Sequence, residues 1–166
     1  MKQITFLRHA KSEWANANLK DIDRALNQRG YADAYAMSEW FLEKKQIPDL
    51  IYSSSATRAL STTMIFVRTL GLPMTQFAIN PLLYESHLDY LYEFIQSQNN
   101  ALHHILIVGH NPVTMEICND LLKNERIEQV PTCALLSLEF NCKTWTTIES
   151  KMGKIKFYQF PKEINN

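Results

Sequence analysis

The sequence predicts an α/β fold of three layers, with a mainly parallel sheet between helices, and three observations lead there. Short apolar runs, Ile4 to Leu7, Leu50 to Tyr52 and Ile105 to Val108, read as buried strands. Between them lie stretches whose apolar residues recur at helical spacing. Past Pro131 the pattern becomes β-rich, and apolar residues alternate with polar ones. That alternation is expected of half-exposed antiparallel strands at one end of the sheet.

In chain order, the first strand ends abruptly on Arg8 and His9, and Ser12 to Gln28 is polar and irregular. Asn27 or Gln28 is placed to cap a helix over Gly30 to Lys45, where Ala34, Met37 and Phe41 mark one face and Trp40 widens it. Pro48 stops that helix before the second strand, Leu50 to Ser53. Ser55 is the expected N-cap of a helix from about Ala56, with Leu60, Met64 and Val67 inward, ended by Gly71 and Pro73. A short strand near Gln76 to Ile79 follows, and then a helix over Leu88 to Gln98 with Leu88, Leu91, Tyr92 and Ile95 on one face. Asn111-Pro112 opens the helix after the third apolar run, carrying Val113, Ile117 and Leu121 inward. Leu136, Leu138 and Phe140, and then Lys154 to Phe160, supply the alternating strands. One domain is expected over residues 1–160 and a frayed tail over 161–166.

Composition narrows the function. Lys plus Arg equals Asp plus Glu at 17 each, so no overall field points to nucleic acid or an acidic membrane. Three cysteines without a CxxC pair favour a reducing compartment and disfavour structural zinc. No apolar stretch approaches the roughly 20 residues that span a bilayer. The first strand begins too early to leave room for a signal peptide, so a cytoplasmic location is expected.

The chemistry gathers at the strand ends. In open α/β sheets ligands bind beyond the carboxyl ends of the strands. Arg8 and His9 follow the first run, Arg58 follows the second closely, and His110 directly follows Gly109. A guanidinium pairs two donors with two phosphate oxygens and stays charged at working pH, so Arg8 and Arg58 suit one phosphoryl group held from two sides. His9 can serve as nucleophile, general base, metal ligand or a satisfied histidine at a strand end. Crowding by guanidinium groups ranks metal ligation low. An uncharged imidazole attacking phosphorus would form a phosphohistidine, with His110 donating to the equatorial oxygens. Ser12 and the amides after His9 are candidates to cap the phosphate. Asn111 is assigned to its turn with Pro112, and His103 and His104 are expected to face solvent.

These residues lie in motifs. Leu7-Arg8-His9-Ala10, Ser53-Ser54-Ser55-Ala56-Thr57-Arg58-Ala59, and Val108-Gly109-His110-Asn111-Pro112 stand in order at three strand ends, and Arg24 to Gly30 leads into the first long helix. Here the chain resembles the histidine phosphatase superfamily, which has the phosphoglycerate mutase-like fold, from Ile4 to roughly Phe140. The short length and the Arg-His-Ala-Lys-Ser-Glu-Trp start look most like its SixA phosphohistidine phosphatases. The resemblance implies a three-layer α/β/α sandwich and no cofactor or metal. It makes His9 the acceptor of the phosphoryl group, and Arg8, Arg58 and His110 the rest of the pocket. Ala10 departs from the glycine of many relatives, so the backbone there is expected to sit differently. Glu85 lies near where many relatives carry a proton-donating carboxylate and is the candidate general acid.

The expected substrate is phosphohistidine in a partner protein. Protonated imidazole, with a pKa of about 6.5, leaves far more readily than an alkoxide, so a phosphohistidine phosphatase tolerates a weak or absent acid. The short segment between Arg58 and Glu85 leaves little from which to build a lid. A small phosphorylated metabolite such as a sugar phosphate or nucleotide is the second reading, and a phosphate-binding or interaction module without turnover is the third. No oligomeric state is implied.

Overall fold

The computed structural model describes residues 1–164. Its strands are β1 (Lys2–Arg8), β2 (Leu50–Ser53), β3 (Phe77–Ile79), β4 (His104–Gly109), β5 (Leu135–Phe140) and β6 (Lys154–Gln159). They form one sheet in the order β3-β2-β4-β1-β5-β6. The neighbours from β3 to β1 are parallel, whereas β5 runs antiparallel to β1 and β6 antiparallel to β5. The helices are α1 (Gln28–Glu43), α2 (Thr57–Thr69), α3 (Leu88–Gln96), α4 (Val113–Leu121) and the short α5 (Pro161–Ile164).

Side chains alternate across the sheet and feed two cores. Ile4, Phe6, Ile105, Ile107, Leu136 and Leu138 pack with residues of α3 and α4 on one face. Leu7, Ile51, Leu106, Val108 and Leu135 pack with residues of α1 and α2 on the other. The fold is therefore the expected α/β/α sandwich. The connection from β1 runs through α1 on one face, and that from β4 through α4 on the other. β1 and β4 are neighbours, so the sheet has its switch point between them, where a ligand crevice is expected.

Five local expectations need correction. Helix α2 is capped at Ala56 without a side-chain bond, so Ser55 is no N-cap. Its buried face carries Ala59, Thr62, Thr63, Ile65, Phe66 and Val67, while Leu60 and Met64 are only half-buried. Polar residues lie inward because Thr62 and Thr63 bond carbonyls one turn back, and each also contacts a neighbouring element. β5 is buried on both faces, not half-exposed, since Ser137 is satisfied by Thr5 and Gln3. His104 is the first residue of β4 and is buried against Thr5 instead of facing solvent; His103 is exposed as expected. Of the expected frayed tail, residues 161–164 form α5 beside α1 with Pro161 buried, and 165–166 lie outside the described residues.

Gly30, in the first turn of α1, lets the helix approach the loop after β1. A Cβ there would stand 2.1 Å from the Lys11 carbonyl oxygen. That oxygen also accepts from the Asn27 amide, and the Asn27 side chain caps the helix on the Gly30 amide. Gly30→Ala is thus expected to destabilise the protein, at the upper end of ~1–3 kcal/mol for overpacking. The gain in helix propensity, about 1 kcal/mol, does not offset it. A thermal melt should show the midpoint falling by roughly 5 °C.

Candidate active site

The carboxyl ends of β1, β4 and β2 bring the expected residues together. Arg8 pairs with Gly109 in register, and the His9 amide donates to the Gly109 carbonyl at 3.1 Å. His9 and His110 thus stand side by side, with ring centroids 4.9 Å apart. Ser54, just past β2, donates its amide to Val108 and meets His110 through its hydroxyl, 2.8 Å from Nε2. Arg58 enters from the first turn of α2. A cation there opposes the helix dipole, so helix stability does not explain its placement.

His9 is held in one tautomer. Its Nδ1 lies 2.7 Å from the Ala10 carbonyl oxygen. A carbonyl only accepts, so Nδ1 carries the proton and Nε2 keeps its lone pair. Arg58 Nε approaches that Nε2 at 3.2 Å. The backbone after His9 is fixed in turn, because the Ala10 amide donates to Thr62 Oγ1 at 3.0 Å. Ala10 is not among the residues with positive φ, so alanine is accommodated here without the freedom of glycine. Cys133 does take a left-handed conformation, φ 61°, and its amide meets the carbonyls of both Arg8 and His9.

Each nitrogen of Arg58 has its own partner. Nη1 donates to the Asp21 carbonyl at 2.7 Å and Nη2 to Asp21 Oδ2 at 2.8 Å. Tyr84 donates its hydroxyl to the same carboxylate oxygen at 2.8 Å. Burial pushes the Asp21 carboxyl upward, but the bonds from Tyr84 and Arg58 prevail and lower its pKa. Arg8 donates Nη1 to the Val130 carbonyl at 2.8 Å, and Asn111 donates to the same oxygen. Arg8 Nε is buried without an acceptor among the described residues. Burial, and after it the nearby Arg58 charge, lower the Arg8 pKa. Two neighbouring guanidinium groups repel, and an anion between them relieves that cost.

A cavity of about 330 Å³ opens over Arg8, His9 and Arg58 and is lined also by Lys11, Ser12, Trp14, Arg29 and Thr132; His110, beside His9, is not among its lining residues. Ser12 is buried at its wall. Glu85 is exposed and is not among the lining residues. Sequence reading missed Ser54, Thr62, Tyr84 and the Asp21 latch. The run Ser53-Ser54-Ser55, which ends β2 beside the end of β4, was the signal for the first.

Burial lowers the His9 pKa to about 4, helped by Arg58 and Arg8 and opposed by the Ala10 bond. Burial also takes His110 to about 3, with His9 and Arg58 adding to it. Both rings are neutral near pH 7. If a neutral His9 is required, the acid limb of kcat/KM should fall near pH 4 to 5, not near the ordinary ~6.5. The same shifts bear on stability. The unfolded histidines take up protons below about 6.5 and the folded ones do not, so stability should fall as pH drops from about 6.5 to 4. Paired pH–rate and pH–melting profiles check both.

Fixed cations, a neutral imidazole whose Nε2 lone pair is met by Arg58 Nε, and a second imidazole beside it make a site suited to an oxyanion. The profile of the "Histidine phosphatase superfamily (branch 1)" matches residues 4–90, just over half of the chain, and the chain belongs to that superfamily. It is 36% identical over 67 residues to phosphoglycerate mutase 1 of Saccharomyces cerevisiae, 39% of this chain and 27% of the relative. The chain spans little more than a quarter of the length of the curated relatives it matches first. Solved structures match it nearly end to end. A protein assigned as the phosphohistidine phosphatase SixA of Agrobacterium tumefaciens superposes with TM-score 0.81 at 24% identity, covering 96% of this chain and 98% of the other. A protein histidine phosphatase SixA complexed with tungstate gives 0.83 at 20% identity, covering 98% and 99%. These two likenesses define the fold, which is phosphoglycerate mutase-like. Among the described residues no helix is long and apolar enough to cross a membrane.

Proposed function

We propose that the protein is a metal-independent phosphatase that dephosphorylates phosphohistidine in a partner protein by way of its own phosphorylated His9. The observation that carries this reading is the His9 tautomer: Nδ1–H on the Ala10 carbonyl, with the Nε2 lone pair turned into a pocket of cations. In the proposed step, Nε2 forms a bond to phosphorus as the bond to the substrate imidazole breaks. That imidazole leaves with the electron pair and a proton from solvent. Water then attacks the phosphorus, loses a proton and releases phosphate, and His9 Nε2 recovers its lone pair. Arg8 Nε, buried without an acceptor, and Arg58 balance the charge spreading over the equatorial oxygens. His110 Nδ1 lies 3.4 Å from Arg58 Nη2, which only donates, so its ring proton sits on Nε2 toward the Ser54 hydroxyl. His110 joins them once a bound phosphoryl group takes the place of that contact and the proton moves to Nδ1, with the Ser54 hydroxyl donating to Nε2 in turn.

The choice of substrate rests on the leaving group. Asp21 has its carboxyl pKa lowered and is committed to Arg58 and Tyr84, so it is a poor proton donor. Glu85 is exposed and outside the cavity lining. Phosphohistidine needs a strong acid least. The SixA relative complexed with tungstate, an oxyanion, is in keeping with this reading. Glu85→Gln is accordingly expected to change kcat by less than ~3-fold, where a general acid contributes ~10²–10⁴-fold.

The test compares phosphate release from a phosphohistidine protein and from a panel of sugar phosphates and nucleotides, all in EDTA. Preference for the phosphohistidine protein is expected. Preference for one small ester would overturn the substrate and keep the His9 chemistry. No release from any of them would favour a binding module.

A further inference from the structure

We infer that the phosphate cavity adjoins a cationic subsite for acidic side chains flanking the phosphohistidine of the partner protein. This rests on the phosphohistidine reading above and extends it to what surrounds the phosphorylated residue. Arg29 and Thr132 line the His9 cavity and also a second cavity of about 180 Å³. The second is completed by Gln129, Pro131, Phe160, Pro161 and Lys162. The two cavities are neighbours on either side of these two residues.

The charge around the two cavities is one-sided. Lys11, Arg29 and Lys162 add to Arg8 and Arg58, and no Asp or Glu is among the described lining residues of either cavity. The chain as a whole is balanced at 17 and 17, so the imbalance is local. A single phosphoryl group is already served by Arg8, Arg58 and His110. The three further cations exceed its needs.

Arg29 is held so as to leave its end free. Its Nε sits 3.4 Å from Asp33 Oδ2, a carboxylate whose side chain is 8% exposed, while Arg29 itself is 58% exposed. The contact is an ion pair without a hydrogen bond, made at the base of the fork, and it leaves the terminal nitrogens available for a carboxylate from outside. Arg29 also lies in the first turn of α1, where a cation opposes the helix dipole. Pro131, Phe160 and Pro161 give the second cavity an apolar part suited to a peptide backbone and aliphatic stems. Trp14, 66% exposed and stacked 3.7 Å from the Arg24 guanidinium, adds an aromatic wall at the first.

The experiment uses two phosphohistidine peptides that differ only in having Glu or Gln at the flanking positions. Two or three exposed ion pairs should lower KM for the Glu peptide by ~5-fold with kcat unchanged. That ratio should fall toward one in Arg29→Gln/Lys162→Gln, and in wild type at about 1 M salt. A ratio taken within each variant is insensitive to a general loss of activity or folding. Equal KM for the two peptides in wild type, or a ratio that survives the double substitution, would overturn the subsite alone. Faster, Arg29-dependent turnover of a small bisphosphate would overturn the peptide as its occupant. If neither peptide is hydrolysed while a small ester is, the phosphohistidine reading itself has failed, and this inference with it.

Discussion

His9→Ala is expected to reduce phosphate release by ~10⁴-fold or more, as loss of a covalent nucleophile does elsewhere. The argument rests on what would be left. Arg8, Arg58 and His110 would still bind phosphate, but no other side chain in the cavity lining presents an uncharged nitrogen lone pair among cations. His9 lies at the end of β1, and its backbone pairing to Gly109 does not depend on the ring. Secondary structure and melting temperature should therefore remain close to wild type. Circular dichroism beside a single-turnover assay separates loss of chemistry from loss of fold. Residual activity within ~10-fold of wild type would remove His9 from the mechanism.

Arg58→Ala is expected to cost ~10²–10³-fold in kcat, the usual loss when a preorganised donor to a developing oxyanion is removed. Arg58→Lys should rescue little. The guanidinium serves His9 Nε2 through Nε, the Asp21 carbonyl through Nη1 and the Asp21 carboxylate through Nη2. One ammonium on a flexible stem cannot reproduce three directed donors. The substitution should also release the Asp21 segment, whose short 3-10 turn, Asp21–Asp23, is tied to α2 through these bonds. Kinetics with Lys and Ala at position 58, side by side, check the expectation; near-complete rescue by lysine would mean that charge alone matters there.

The parts of the fold legible in the sequence were those whose signal is local. β1 and β4 carry apolar runs buried on both faces and β2 a short one that alternates half-buried and buried, and no partner is needed to recognise them. The residues at their ends were legible for the same reason: Arg8, His9 and His110 each sit directly after an apolar run, and the sheet register then brings them together. What escaped depends on partners distant in the chain. Thr62 and Thr63 read as polar positions on α2 until they are seen bonded to Ala10 and Ser53. Ser137 looked like the exposed side of β5, but Thr5 and Gln3 satisfy it inside the sheet. His104 is buried because Thr5 meets its ring across the neighbouring strand. The Asp21 latch joins three separate segments through Arg58 and Tyr84, and spacing carries no trace of it.

The central claim is that the phosphoryl group passes through His9, and trapping it there tests this most directly. The protein would be mixed with an excess of radiolabelled phosphohistidine substrate and quenched in alkali within one turnover. The label would then be mapped by fragmentation mass spectrometry. A phosphoryl group on His9, stable in alkali and lost in acid as the imidazole protonates and leaves, is the predicted result. Turnover with no protein-bound label at any time, or with the label on another residue, would contradict the account.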